Sequence, residues 1–259
     1  MTTEPHILLK GDMLALGMPR QDMLPKYHAW ENDPRTVLGY GNQWAQSWEV
    51  RAAGYERQRG NQRFQQFEVV RLADNEAVGM TILEVNPHSR TAEFVIVLAP
   101  EERGKGYAAE SARLTLDWAF DIAALRMVWL KVLEPNRAGI TAYRKAGFRE
   151  SGRLRKAGYW LGEPVDELLM DALPEDVPGP SAVRSALGDW TSRRATDSPS
   201  RATRTQPGEQ IPRGQLPAVL EDAANWEYPD DGDWIGAVTL VDTEAGRSIT
   251  RRSPEETAE

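Results

Sequence analysis

The spacing of hydrophobic positions changes period twice along the first 173 residues. Near the start, Leu24, Tyr27 and His28 lie on one side of a short predicted helix, with Asp22 as its cap and Trp30 at its end. Asn32-Asp33-Pro34 closes that segment. A second helix is predicted from Gln43 to Arg59, with Trp44, Trp48 and Tyr55 as core contacts. Alternation then takes over, giving strands at Arg63 to Leu72, Ala77 to Val85 and Thr91 to Ala99, with polar turns between them. The third is apolar from Phe94 to Leu98, which suits a central strand. The helical period returns after Pro100-Glu101-Glu102. A helix to Ile122 presents Ala108, Ala112, Leu116, Ala119 and Phe120 on one face. Arg126 to Leu133 is a strand, Glu134-Pro135-Asn136 breaks it, and a helix runs to Lys145 with Gly147 as its C′ residue. Phe148 to Arg155 and Val165 to Ala172 complete the pattern, around a Gly158–Pro164 connection. This order predicts an α/β fold: a mixed, mostly antiparallel sheet flanked by helices.

Charge and composition divide the 259-residue chain unevenly. The net charge is −8, of which residues 174–259 carry −7 and residues 1–173 only −1. In the later part Leu, Ile, Val and Phe supply 12 of 86 residues, below the ~20% at which chains build a core. The expected organisation is a folded domain over 1–173, a flexible Pro/Ser/Arg-rich linker over 174–215, and an acidic-aromatic tail over 216–259 that is either a small hairpin or disordered. A low-complexity C-terminal extension thus follows the domain. Neither part has the basic excess of a nucleic-acid binder. The chain has no cysteine, and His6, His28 and His88 do not form an HExxH-type pair, so no metal site is expected. No apolar run reaches the roughly 18 residues of a membrane helix. The N-terminus lacks the pattern of a secretion signal, and a cytoplasmic protein is the expectation. Trp44, Trp48, Trp118 and Trp129 read as core residues.

The most informative stretch is Arg103-Gly104-Lys105-Gly106-Tyr107-Ala108, between a strand and a helix start. Closely spaced glycines let backbone amides turn inward, and the helix start adds partial positive charge, so the pattern suits a phosphate. A P-loop reading fails because no Ser or Thr follows the lysine. A dinucleotide fingerprint partly fits at Gly104, Gly106 and Ala109, with Glu134 ending the next strand. That motif, however, starts directly at a strand end and usually opens its fold.

A third reading covers more of the chain. Arg103-x-x-Gly106-x-Ala108 resembles the Q/R-x-x-G-x-G/A loop of the GNAT (Gcn5-related) N-acetyltransferases. Asn136 with Ala142-Tyr143-Arg144-Lys145-Ala146-Gly147-Phe148 resembles the family's N…AxxxYxKxGF segment. Trp30-Glu31-Asn32-Asp33-Pro34, Gly152-Arg153-Leu154-Arg155 and Asp166-Glu167-Leu168-Leu169-Met170 resemble the branch that includes the ribosomal-protein N-terminal acetyltransferases.

The resemblance implies acetyl transfer from acetyl-CoA to a primary amine, a protein N-terminus, a lysine or a small molecule, by direct attack through a tetrahedral intermediate. It implies cofactor contacts at Ile96, Val97 and Leu98 on a splayed strand, at Arg103, Gly104, Lys105, Gly106, Tyr107 and Ala108 in the loop, and at Asn136 and Lys145. It makes Tyr143 the acid that protonates the departing thiolate and Glu93 the base, directly or through water. Glu31 and Asp33 would border the acceptor, and a homodimer is compatible. A non-catalytic acyl-CoA-binding module and a nicotinamide-dependent oxidoreductase are the alternatives.

Overall fold

The computed structural model describes residues 4–41 and 44–188. Eight strands alternate with six helices: β1 Ile7–Lys10, β2 Leu14–Gly17, α1 Leu24–Glu31, α2 Pro34–Tyr40, α3 Trp48–Arg59, β3 Phe64–Arg71, β4 Ala77–Asn86, β5 Thr91–Leu98, α4 Tyr107–Asp121, β6 Met127–Leu133, α5 Arg137–Ala146, β7 Arg149–Trp160, β8 Glu163–Ala172 and α6 Ala182–Leu187. The strands form one sheet in the order β1-β2-β3-β4-β5-β6-β8-β7. All neighbours are antiparallel except β5 and β6, which run parallel because α4 crosses over between them.

Strand alternation divides the core into two. Ala92 and Phe94 of β5 pack with Ala112, Leu116 and Ala119 of α4 and with Ile140 and Ala146 of α5. Val97, of opposite parity, packs instead with Met80, Tyr27 and Trp30, so α1 lies on the other face. The buried Glu68 pins α1 there. Arg20 Nε donates to Glu68 Oε2 at 3.0 Å, and the Tyr27 hydroxyl donates to Oε1 at 2.5 Å.

Several sequence expectations change. Asp22 does not cap α1, because it sits inside a 3-10 turn, Gln21–Met23, that leads into the helix. Asn32-Asp33-Pro34 does end α1, but it also starts α2: Asp33 accepts from the Arg35 and Thr36 amides, and Pro34 occupies the first turn, where its missing N–H costs nothing. The helix expected from Gln43 begins only at Trp48, where Ser47 caps it. Arg51 and Tyr55 carry its buried side, leaving Trp44 83% and Trp48 43% exposed, so neither is a core contact. The strands β1 and β2, four residues each, were too short to show a period. The last hairpin is longer than expected: Tyr159 pairs with Pro164 and Trp160 with Glu163. Its turn is Leu161-Gly162, both at positive φ.

The chain also stays folded beyond Leu173. Arg184 binds Asp121 Oδ1 through two nitrogens at 3.0 and 2.7 Å, Ser181 Oγ donates to Asp121 Oδ2 at 2.6 Å, and Val183 is buried. The low apolar content averaged over 86 residues concealed this one short docking helix. The rest of the expected linker, and the 216–259 segment, lie outside the described residues.

Candidate active site

The sheet opens where β5 leaves β6. Thr91, Ala92 and Glu93 pair with Met127, Val128 and Trp129, and the ladder stops there. β6 continues against β8 to Leu133, while β5 continues against β4 to Leu98. Two bonds fix which backbone groups face the resulting wedge. The Ala99 amide donates to Val78 O on the β4 side, and the Arg126 amide donates to Arg90 O on the β6 side. Alternation then directs the peptide groups of Ile96 and Leu98 into the wedge. Those of Val97 belong to the ladder with Met80. Of the three strand residues expected to meet a ligand, the structure brings two to the opening.

At the wide end of the wedge lies the glycine loop. Gly104 and Gly106 have φ of 79° and 85°, and a Cβ at either would meet nothing within 4 Å. Both positions need glycine for the backbone and open onto free space. Gly106 is the N-cap of α4 and offers no side chain to its first turn. The Ala109 amide bonds back to Gly106 O, which leaves the Tyr107 and Ala108 amides as donors for an anion. The two basic residues of the loop are paired within the protein. Lys105 Nζ holds Glu102 at 2.8 Å. Arg103 Nη2 donates to Thr36 Oγ1 at 2.6 Å, and Nη1 faces Asp33 Oδ1 at 2.8 Å as an ion pair without hydrogen-bond alignment. The first turn of α4 is anchored from behind: Glu110 Oε1 accepts from the amides of Asp12, Met13 and Leu14 at 2.8, 2.8 and 3.1 Å.

α5 delivers Tyr143 to the α4 side of the wedge. Its ring meets Phe94 at 6.3 Å and Phe148 at 6.0 Å, both edge to face. Burial pushes its phenol up to about 12, which keeps the proton on through neutral pH. Asn136 caps α5 by accepting from the Gly139 amide at 3.0 Å. Its amide nitrogen lies 3.7 Å from where a Cβ on Gly39 would stand, so it also abuts α2. Lys145 is exposed in the last turn of α5.

The opposite face of the sheet is charged around the wedge's apex. Glu93 is the last residue of β5 paired with β6, with Lys131 Nζ 3.9 Å away. Burial raises the Glu93 carboxyl above its ordinary range; Lys131 opposes this, and the nearby Glu84 and Glu167 add to it. Glu31 and Asp33 are both committed to cations. Arg51 Nε holds Glu31 at 2.6 Å. Burial raises Glu31 more than Arg51 lowers it. Burial would raise Asp33 too, but Arg103 and the Thr36 and Arg35 amides outweigh it and hold that carboxyl low. One wedge residue escaped the sequence reading: the Tyr40 hydroxyl donates to Ile96 O at 2.7 Å. The signal that could have found it is Asp33-Pro34, an N-cap followed by a first-turn proline.

The model of the acetyltransferase (GNAT) domain matches residues 14–149. The chain belongs to the GNAT acetyltransferase family. Its GNAT fold is shared with the spermidine N-acetyltransferase of Vibrio cholerae, solved in complex with CoA and spermine. That match has a TM-score of 0.60 and 26% identity over 63% of this chain and 97% of that one. A GNAT-family acetyltransferase from Bacillus anthracis shares the fold alone, at 22% identity and a TM-score of 0.57, over 64% of this chain and 98% of that one. Among curated relatives, the spermidine N(1)-acetyltransferase of Escherichia coli K12 is 39% identical over 82 residues, 31% of this chain and 44% of that protein. The Vibrio cholerae enzyme is 37% identical over 87 residues, 33% of this chain and 50% of that protein. The chain thus spans half or less of the curated relatives it matches. These relatives lend no support to the ribosomal-protein branch. Among the described residues, no helix of this GNAT chain is long and apolar enough to cross a membrane.

Proposed function

We propose that this chain transfers the acetyl group of acetyl-CoA to a primary amine of a small polycationic acceptor of the polyamine type. The observation that carries the reading is the wedge: a strand edge left without its partner, opening onto a glycine turn and a helix start whose amides point at free space. That arrangement fits a long donor with an anionic diphosphate at one end and a thioester at the other. Tyr107 and Ala108 would bind the diphosphate through their amides, and Ile96 and Leu98 would bind the pantetheine through theirs. Gly104 and Gly106 would allow the close approach. Arg103 and Lys105 would contribute charge at short range once drawn from Asp33 and Glu102.

The chemistry follows from the two faces. An alkyl amine has a pKa near ~10.4 and must lose a proton before it attacks. Glu93, at the apex with a raised carboxyl, would take that proton directly or through water. Tyr143, protonated at neutral pH, would hold or protonate the departing sulfur as the tetrahedral intermediate collapses. The acceptor class rests on charge: Glu84, Glu93 and Glu167 lie close to one another with Lys131 among them, a surface that attracts a polycation. The likeness to spermidine acetyltransferases supports the same class. A protein N-terminus or a lysine remains within this chemistry, but nothing around the apex favours either.

The test is thiol release from acetyl-CoA with a panel of spermidine, spermine, a lysine peptide and an N-terminal peptide. Turnover with the polyamines well above the peptides is expected. CoA binding without turnover on any amine would return the chain to a binding module. NAD binding in place of CoA would return it to an oxidoreductase.

A further inference from the structure

We infer that Tyr40 contacts the substrate, its phenolic oxygen accepting a hydrogen bond from the amine nucleophile as the amine enters the wedge. The inference rests on the acetyl-transfer reading above and goes beyond it by adding a residue that neither motif nor resemblance marks.

Tyr40 ends α2, and its hydroxyl sits on Ile96 O, a backbone group that faces the opening. Tyr143 and Tyr40 approach this opening from opposite faces of the sheet. Tyr143 packs with the α4 and α5 cluster, and Tyr40 packs against the cluster that contains Met80 and Val97 on the α1 side. The glycine loop and Tyr143 assign the first face to the donor. The second face, with Glu93 and its neighbouring carboxylates, is left for the amine.

A tyrosine hydroxyl has one hydrogen and two lone pairs. The hydrogen of Tyr40 is spent on Ile96 O, so towards the wedge its oxygen can only accept. Burial first, and then the fields of Tyr143 and Glu31, push this phenol well above the usual tyrosine range and keep it neutral. A neutral acceptor has an advantage beside a reacting carbon. A carboxylate there would hold the amine as an ammonium ion. The phenolic oxygen takes one N–H of the neutral amine and leaves its lone pair free for the thioester. Glu31, the other candidate on this side, is occupied by Arg51 at 2.6 Å.

The test compares Tyr40→Phe with wild type in the full chain, using spermidine as the probe. We expect the spermidine KM to rise about tenfold, the effect of one lost hydrogen bond, with kcat reduced less and the acetyl-CoA KM within twofold. Calorimetric titration of spermidine into the CoA-saturated protein should show the same rise in Kd, with CoA affinity unchanged. Tyr143→Phe should do the reverse, lowering kcat and leaving the spermidine KM alone. An unchanged spermidine KM and Kd in Tyr40→Phe, or a rise in the acetyl-CoA KM instead, overturns the assignment. An equal loss for both ligands together with a lowered Tm makes Tyr40 a structural prop and also overturns it. If wild type itself turns over no spermidine, the functional reading fails first, and that result is visible before any variant is measured.

Discussion

On the proposed reading, the two faces of the sheet would meet a ligand by different means. On the α4 and α5 side the donors would be backbone amides, at Tyr107 and Ala108 in the helix start and at Ile96 and Leu98 along the open strand edge. On the α1 to α3 face the recognition groups would be side chains: Glu93, Lys131, Glu84 and Glu167. A backbone site is fixed by the fold and depends on residue type only where a side chain must be absent, as at Gly104 and Gly106. A side-chain site is free to change its charge without disturbing the sheet. The first therefore suits a donor common to a whole family, and the second suits an acceptor that differs among its members.

Substitutions on each face can break that division. The largest effect is expected for Tyr143→Phe, which should lower kcat about a thousandfold while CoA affinity, read by calorimetry, stays within twofold. A comparable loss of affinity would mean that Tyr143 serves binding. Glu93→Gln should lower kcat/KM about a hundredfold and flatten the acid limb of the pH profile. An acid limb that persists would place the base elsewhere. Gly106→Val forces a branched side chain to adopt a φ of 85°, which costs about 1–2 kcal/mol. CoA affinity should fall about tenfold, with the acceptor KM unaffected. Lys131→Met is the subtlest. Glu93 must be ionised to accept a proton, so activity is lost as pH falls through its raised pKa. Lys131 is the cation that restrains that rise. Its removal should shift the acid limb to higher pH without altering CoA affinity. A downward shift would contradict the assigned base.

The same division explains what the sequence could reveal. The meander, α4, β6 and α5 were legible because each carries a sustained period and ends at a strong breaker: Pro100, Asn136 or Gly147. The glycine loop was legible because backbone requirements leave glycine as a visible mark. On the other face the marks are weaker. Glu31 and Asp33 were readable as carboxylates, but not as carboxylates already held by Arg51 and Arg103, because those partners lie 20 and 70 positions away in the chain. Tyr40 was hidden because α2 is seven residues long and has no buried stripe of its own. Trp44 and Trp48 misled because large aromatic residues suggest a core, and only the position of the Ser47 cap shows that they precede the buried turn. The docking of α6 rests on Asp117 and Asp121 reaching back to residues 181–184, a link that composition averages away.

Glu110 bears on how an anion can be welcomed beside a resident carboxylate. It stands one turn into the helix whose start would meet the diphosphate, where a second negative charge ought to repel the visitor. Three amides of the β1–β2 bend surround its Oε1, so its charge is spent on the hairpin behind. The bend would thus partly screen that charge from an anion at the helix start. Shortening the chain at its amino end through Leu14 would unmask that charge and turn an attractive helix mouth into a less hospitable one.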